Sequence, residues 1–222
     1  MELKKLDETK VLKDPVHSYI HIHYEVIWNC LDSKEFQRLR RIRQLGGDFQ
    51  VYPTAEHSRF SHSLGVYEIV RRMVTEVKSL CVELTEYEKV CVTLAGLLHD
   101  VGHGPFSHAF EHITNHSHEE YTAKIILGNT ELNAILRAVS EKLPQDIVSI
   151  IQHTHENDIL NQIVSGQLDA DRMDYLLRDS YFTATSYGQF DLERILRTIR
   201  VRKTAEGRKV IVVKYTGIHS VE

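Results

Sequence analysis

The sequence predicts a mainly α-helical fold with a minor N-terminal strand or arm and a C-terminal β-hairpin. Three observations carry this reading. Apolar residues recur at helical spacing through most of the chain, Ser and Thr stand at capping positions ahead of them, and period-two alternation is confined to the two ends. From Val11 to His23 a turn signal, Asp14-Pro15, precedes the alternation Tyr19-Ile20-His21-Ile22-His23, which marks a short strand or extended arm. Ser33 caps a helix with Phe36, Leu39, Ile42 and Leu45 on one face and Arg38, Arg40, Arg41 and Arg43 on the other; Gly46-Gly47 ends it. A longer helix is expected from Arg59 to Leu80, with His62 in its first turns. Thr85 and Glu88 form a capping-box pattern before Val90, Leu94, Leu97 and Leu98, and Gly102 or Gly104-Pro105 must stop that helix, leaving His99-Asp100 at its C-terminal end. Ser117 and Glu120 repeat the capping pattern before Tyr121 to Leu127, which Gly128 closes. Helices over Glu131–Ala138 and Gln145–His153 follow, the second with Pro144 at its start. Another ends near Gly166, Asp169–Asp179 and Asp191–Arg200 read as helical, and Val201–Tyr215 reads as a hairpin turning at Glu206-Gly207.

A chain of 222 residues with 42% hydrophobic content can bury one substantial core, so one main domain is expected over residues 1–200, followed by the hairpin segment 201–222. The formal net charge of -4 supplies no global basic field, which argues against a stable nucleic-acid polymer partner; a polyanionic small molecule needs a local basic site. Cys30, Cys81 and Cys91 form no CxxC pair and fit a reducing compartment, so a cytoplasmic location is expected. The charged N-terminus lacks an apolar targeting core, and no apolar run approaches the roughly 18 residues of a membrane helix. Histidine is the anomaly: 14 in 222 residues is several-fold above ordinary usage and invites a metal or acid–base reading.

The densest constellation is Leu97-Leu98-His99-Asp100-Val101-Gly102-His103-Gly104-Pro105-Phe106-Ser107-His108, where an apolar helix delivers polar groups into a glycine-rich turn. A His-Asp pair alone is a weak signal among so many histidines. A first-row divalent ion takes neutral imidazole and carboxylate ligands from several rigid elements, which lets His62, His99, Asp100 and Asp171 act together although far apart in sequence. Taken singly, His62 reads more readily as a capped or hydrogen-bonded helix histidine and Asp171 as a solvated helix carboxylate. Asp171, Tyr175 and Asp179 fall at i, i+4 and i+8, on one helical face.

The segments His57 to Val66, His99 to Phe110 and Asp169 to Asp179, in that order, resemble the HD-domain deoxynucleoside triphosphate triphosphohydrolases, a family that includes bacterial dNTPases and the mammalian SAM-and-HD-domain dNTPase. The resemblance implies an HD-domain helical fold and hydrolysis of a dNTP to deoxynucleoside and inorganic triphosphate. It implies one divalent transition metal (Fe, Mn, Zn, Ni or Co) on His62, His99, Asp100 and Asp171, with Mg2+ accompanying the substrate triphosphate. Arg59 matches a phosphate-contacting arginine. His103, Glu111 and His118 match the catalytic group, Glu111 standing where the mammalian relative has Asp. Gln44, Leu45, Tyr175 and Asp179 match positions lining the deoxyribose and triphosphate pocket. Val11, Asp32, Gln37 and Arg40, within residues 1–50, match an intersubunit site for a dGTP/GTP-type effector, which implies a homo-oligomer, dimer or tetramer. From charge alone the arginine-rich face reads equally as a solvated surface, and His108 receives no role beyond packing or capping. Two other functions stay open: a different HD phosphohydrolase, such as a nucleoside monophosphatase or alarmone hydrolase, and a non-catalytic nucleotide sensor with this fold. In the family a long helix follows the segment resembling Thr216–Glu222, so a chain ending there is expected to be part of a longer protein, metal-loaded but weak in turnover.

Overall fold

The computed structural model describes residues 3–215, and most of its helices begin at a capping side chain. The N-terminal arm is a hairpin: β1 (Lys5–Asp14) pairs antiparallel with β2 (Ser18–Tyr24), with Asp14 opposite Ser18. Alternation in β2 buries Ile20 and Ile22 in the core, as the period-two pattern predicts. Charged Lys5–Lys10 carries no such pattern, so β1 extends further upstream than the sequence suggests.

Helix α1 (Glu25–Asp32) was not anticipated, because Tyr24 leads into it with no side-chain cap; it is held by burial of Val26, Ile27, Cys30 and Leu31. Ser33 caps as expected, its hydroxyl accepting from the Phe36 amide, but α2 (Lys34–Gln37) gives way to a 3-10 turn over Arg38–Arg41. The expected helix to Leu45 therefore fails. Ile42 is extended, its carbonyl accepts from the Arg59 amide and the Gln44 amide donates to the His57 carbonyl, so this backbone pairs with the segment before α3 instead. The arginines are not a uniformly solvated face either: Arg38 donates to the carbonyls of Val101 and His103 at 2.6 and 2.8 Å, and Arg40 lies 3.6 Å over the Phe60 ring.

The long helix divides at Val77, whose extended backbone separates α3 (Arg59–Glu76) from α4 (Lys78–Glu83). The Thr85–Glu88 capping box opens α5 (Glu86–Leu98) with both reciprocal bonds present. Helix α3 packs against both α5 and α11, and the buried residues of α3 and α5 belong to the main hydrophobic core. Also unanticipated is α6 (His108–Thr114), bounded by Ser107 and Asn115 with φ of 52° and 55°. Ser117 caps α7 (His118–Leu127), followed by α8 (Glu131–Val139), α9 (Leu143–Ile151) with Pro144 in its first turn, and α10 (Asp158–Val164). Asp169 caps α11 (Ala170–Thr183), one turn longer than expected. After α12 (Leu192–Thr198), β3 (Ile199–Lys203) and β4 (Lys209–Val213) form the C-terminal hairpin, turning through Gly207 at φ 82°. The Ile211 amide anchors that hairpin to Gln162 of α10 at 2.9 Å. Thr216–Glu222 lie outside the described residues. Among the described residues no helix is long and apolar enough to cross a membrane.

Candidate active site

The C-terminal end of α5, the start of α3 and the start of α11 meet at one point, and each brings polar side chains to it. His62 lies in the first turn of α3, His99 caps the end of α5 and Asp100 follows it; all three are buried, and their ligating atoms lie within 4.8 Å of one another. Asp171, in the first turn of α11, closes the group: its Oδ1 is 3.0 Å from His62 Nε2 and 3.6 Å from His99 Nε2. The four expected metal ligands thus converge.

Each imidazole is oriented from behind. His62 Nδ1 donates to Asp174 Oδ2 at 2.8 Å, and His99 Nδ1 donates to the Gly96 carbonyl at 2.9 Å, so both rings aim Nε2 at the cluster centre. Buried His99 Nε2 has no hydrogen-bond partner. An orphaned lone pair facing two carboxylates and a second imidazole is what a divalent cation would satisfy, so this donor set fits one. Burial alone would depress His62, but Asp171 and Asp174 overcome it and hold the ring up at about 10. Burial likewise opposes ionisation of Asp100, and Arg59 with the neighbouring histidines overcomes it, keeping that carboxylate well below its ordinary range.

Arg59 opens α3 and is buried, its guanidinium paired with Asp100 Oδ2 and donating to Ser107 Oγ at 3.2 Å. Ser107 in turn donates to the Arg43 and Gln44 carbonyls at 3.1 and 3.0 Å, which fixes its left-handed backbone and the strained turn beyond His103. Gly102 sits where a Cβ would lie 2.2 Å from the His118 carbonyl and 2.3 Å from the Thr122 amide. That close approach brings α7 against the turn and its first residue, His118, against His103: the rings stack with centroids 3.9 Å apart and planes 13° from parallel. His118 Nδ1 donates to Glu111 Oε1 at 2.7 Å, and His108 Nδ1 lies 3.2 Å from the same oxygen. Burial pushes His103 down to about 4 in spite of Asp100, so this ring is neutral near pH 7. Glu111 is lowered, the contacts with His118, His108 and His103 outweighing its partial burial.

A cleft of about 170 Å³ opens over these groups. Of the expected substrate residues, Gln44, Arg59 and Tyr175 line it, as do His99, Asp100, His103, His118 and Asp171. Leu45 and Asp179 lie outside its lining; Asp179 instead accepts from His57 Nε2 at 2.7 Å, and the His57 ring stacks on Phe182. His108, which received no role beyond packing or capping from the sequence, belongs to the lining, and so do Glu119 and His153. Among the expected effector residues, Gln37 Oε1 accepts from Arg40 Nε at 2.7 Å, Asp32 is exposed at the end of α1 and Val11 is half exposed on β1.

Asp174, Arg178 and His17 were also missed, since their role depends on contacts across the fold. Gly65 shows how tightly they are held: a Cβ there would lie 1.8 Å from Asp174 Oδ1 and 2.5 Å from Arg178 Nη2. Gly65→Ala is therefore expected to cost about 3 kcal/mol of stability, read as a lower thermal midpoint, because rigid charged groups cannot move aside; an unchanged midpoint would contradict this packing.

A helical fold carrying a cluster of two histidines and two carboxylates, buried except for the partly exposed Asp171, beside a histidine–glutamate pair has the make-up of a metal-dependent hydrolase. Residues 59–179 match the family model described as HD domain, and the chain belongs to that family. Over 218 residues it is 52% identical to uncharacterized protein YwfO of Bacillus subtilis, spanning 98% of this chain and 49% of that protein. It is 34% identical over 230 residues to deoxynucleoside triphosphate triphosphohydrolase SAMHD1 of Gallus gallus, spanning 88% of this chain and 37% of that protein. A solved structure of a phosphohydrolase from Bacteroides thetaiotaomicron superposes with a TM-score of 0.83 at 34% identity, covering 96% of this chain and 50% of the other. The chain spans about half the length or less of the curated relatives it matches.

Proposed function

We propose that this chain carries the catalytic site of a metal-dependent dNTP triphosphohydrolase. One observation carries the reading: His99, Asp100 and Asp171, clustered with His62, line one cleft with Arg59, Tyr175 and His118, the imidazole held by Glu111. The four clustered residues would hold one divalent transition metal, which supplies Lewis acidity toward a phosphoryl oxygen and lowers the pKa of water. In the proposed reaction a water oxygen bonds to the α-phosphorus, the bond from that phosphorus to the sugar 5′ oxygen breaks, and the products are deoxynucleoside and inorganic triphosphate. His118 gives its proton to the departing 5′ oxygen while Glu111 holds the imidazole in place. His103, neutral and stacked beneath His118, supports that ring rather than serving as the acid. Arg59 is a permanent cation at the cleft floor suited to a phosphoryl oxygen, and Tyr175 presents a ring to the sugar. Gln44, Leu45 and Asp179 are assigned to the sugar and triphosphate surroundings, with Mg2+ accompanying the triphosphate. Val11, Asp32, Gln37 and Arg40 are assigned to a dGTP/GTP-type effector in a homo-oligomer.

Incubating the metal-loaded chain with each dNTP and resolving the products by anion-exchange chromatography tests this reading. Free triphosphate is expected. A second reading, hydrolysis of a smaller phosphate ester such as a nucleoside monophosphate, is favoured by the cleft volume of about 170 Å³, below the roughly 300 Å³ at which ligand pockets usually begin. Orthophosphate from a monophosphate, with no triphosphate from any dNTP, would establish it.

Metal uptake should be proton-linked. His62 holds its proton up to about 10 in the metal-free chain, and a metal binds only the deprotonated Nε2. Affinity for Mn2+ is therefore expected to rise by about tenfold per pH unit between about pH 6 and pH 9, with about one proton released per ion. Calorimetric titration in two buffers of different ionisation enthalpy measures that proton; pH-independent affinity would contradict the assignment of His62.

A further inference from the structure

Behind the cluster lies a second, fully buried polar assembly that reaches to the opposite end of the sequence. Asp174, one helical turn after Asp171 on α11, accepts from His62 Nδ1 through Oδ2 and lies 2.6 Å from His17 Nε2 through Oδ1. A carboxylate in this setting only accepts, so the His17 proton sits on Nε2. Arg178 completes the set, donating to Asp174 at 2.9 and 3.0 Å and to Asp14 at 2.9 and 3.3 Å. Asp14 Oδ1 accepts from the amides of Val16 and His17, both at 2.9 Å, so the same carboxylate that grips Arg178 also shapes the β1–β2 turn and aims the His17 ring inward. Side-chain exposure is 2% for His17 and 0% for both Asp174 and Arg178.

Stability alone gives a poor account of this arrangement. Burying two carboxylates, a guanidinium and an imidazole costs desolvation that their attraction barely returns, and apolar side chains of similar volume would usually hold the helices as well. What the assembly does provide is a fixed carboxylate. Asp174 accepts four hydrogen bonds from three residues, two of them on the rigid helices α3 and α11, so its Oδ2 has one position to offer His62. Gly65, three residues after His62, leaves the space that lets Asp174 and Arg178 come this close to α3.

We propose that the turn of the N-terminal hairpin belongs to the metal centre: His17 and Asp174 are positioning residues that orient the ligand His62, so the hairpin sets the affinity of the site. This rests on the metal assignment above. A carboxylate behind a ligating imidazole raises its basicity and locks its ring, and removing such partners costs roughly 10–100-fold in metal affinity. His17 acts one bond further out, and its loss is expected to cost about threefold to tenfold.

The test uses Co2+ alone as probe with the 222-residue chain, reading the dissociation constant and the visible ligand-field spectrum, beside the thermal midpoint of the metal-free protein. Asp174→Asn removes the charge, but it also strands Arg178 and risks the fold. His17→Ala leaves the pairing of Arg178 with Asp174 and Asp14 intact and is the cleaner probe. His17→Gln places an amide N–H near the position of the imidazole Nε2 and is expected to restore most of the affinity lost in His17→Ala. Tyr87→Phe, which removes a 2.6 Å bond to Asp146 elsewhere in the fold, controls for general loosening and is expected to leave Co2+ binding unchanged. The inference is overturned if folded His17→Ala binds Co2+ with the affinity and spectrum of the unaltered chain. It is also overturned if Tyr87→Phe weakens binding as much. Absence of Co2+ binding by the unaltered chain would instead sink the metal assignment, and this inference with it.

Discussion

Replacing Asp171 with alanine is expected to lower metal affinity on the order of a hundredfold or more while leaving the fold intact. Affinity falls because the ion loses a ligand. Asp171 supplies the oxygen facing both His62 Nε2 and His99 Nε2, at 3.0 and 3.6 Å, and without it two imidazoles and one carboxylate already shared with Arg59 remain. The fold survives because of where Asp171 sits. Asp171 lies in the first turn of α11, its side chain is 38% exposed, and the helix is capped by Asp169, whose Oδ1 accepts the Arg172 amide at 2.6 Å. Alanine is the best helix former, so the backbone loses little there. Elemental analysis after dialysis, together with far-UV circular dichroism, reads the two effects separately. Asp179→Ala is the matched comparison: the same helix and the same face, but its carboxylate is held by His57, and metal content should not change. Full metal occupancy in folded Asp171→Ala would remove Asp171 from the ligand set.

The parts of this site that could be read in the sequence are those whose signal is local. Thr85 with Glu88, and Ser117, announce the starts of α5 and α7 because a capping side chain bonds an amide three residues away. Those two helices deliver His99-Asp100 and His118, so these three residues of the cleft followed from helix ends alone. Glycine and proline after Asp100 showed where α5 had to stop. The misses share the opposite character. Helix α1 has no side-chain cap and α6 is framed by residues in strained backbone rather than by cap chemistry, so neither left a short-range mark. The helix predicted through Leu45 had good apolar spacing, but its backbone groups found partners at His57 and Arg59, a tertiary choice that overrides propensity. Arg38 read as a surface charge because nothing local shows that it binds the carbonyls of Val101 and His103, more than sixty residues on. His17 is the extreme case: it meets Asp174 across 157 residues, and a lone histidine after an Asp-Pro turn carries no hint of that.

His118→Ala is expected to keep the metal and lose turnover on the order of a hundredfold or more. His118 is the first residue of α7 and its Nδ1 is bonded to Glu111 rather than to the four-residue cluster, so its removal leaves the ion pairs of His62 with Asp100 and Asp171 and of His99 with Asp171 as they are now. Ser117 still caps the helix through the Glu120 amide, and alanine suits its first turn. What disappears is the proton carrier, because His103 beneath it is held neutral by burial and cannot take over near pH 7. The readout is the rate of inorganic triphosphate release from a dNTP, set against metal content in the same preparation. Glu111→Gln tests the partnership: an amide cannot stabilise the imidazolium, so that variant should also lose activity. The double variant should then be scarcely slower than His118→Ala, since groups that act as a unit are not additive. Multiplied losses in the double variant would mean that Glu111 and His118 act independently. Loss of metal from His118→Ala would point elsewhere, because Asp100, His103 and His118 also bring ligating atoms within 4.8 Å of one another. In that outcome His118 is a ligand, and the proton on the departing oxygen has to come from another group in the cleft, with His108, 3.2 Å from Glu111, the nearest candidate.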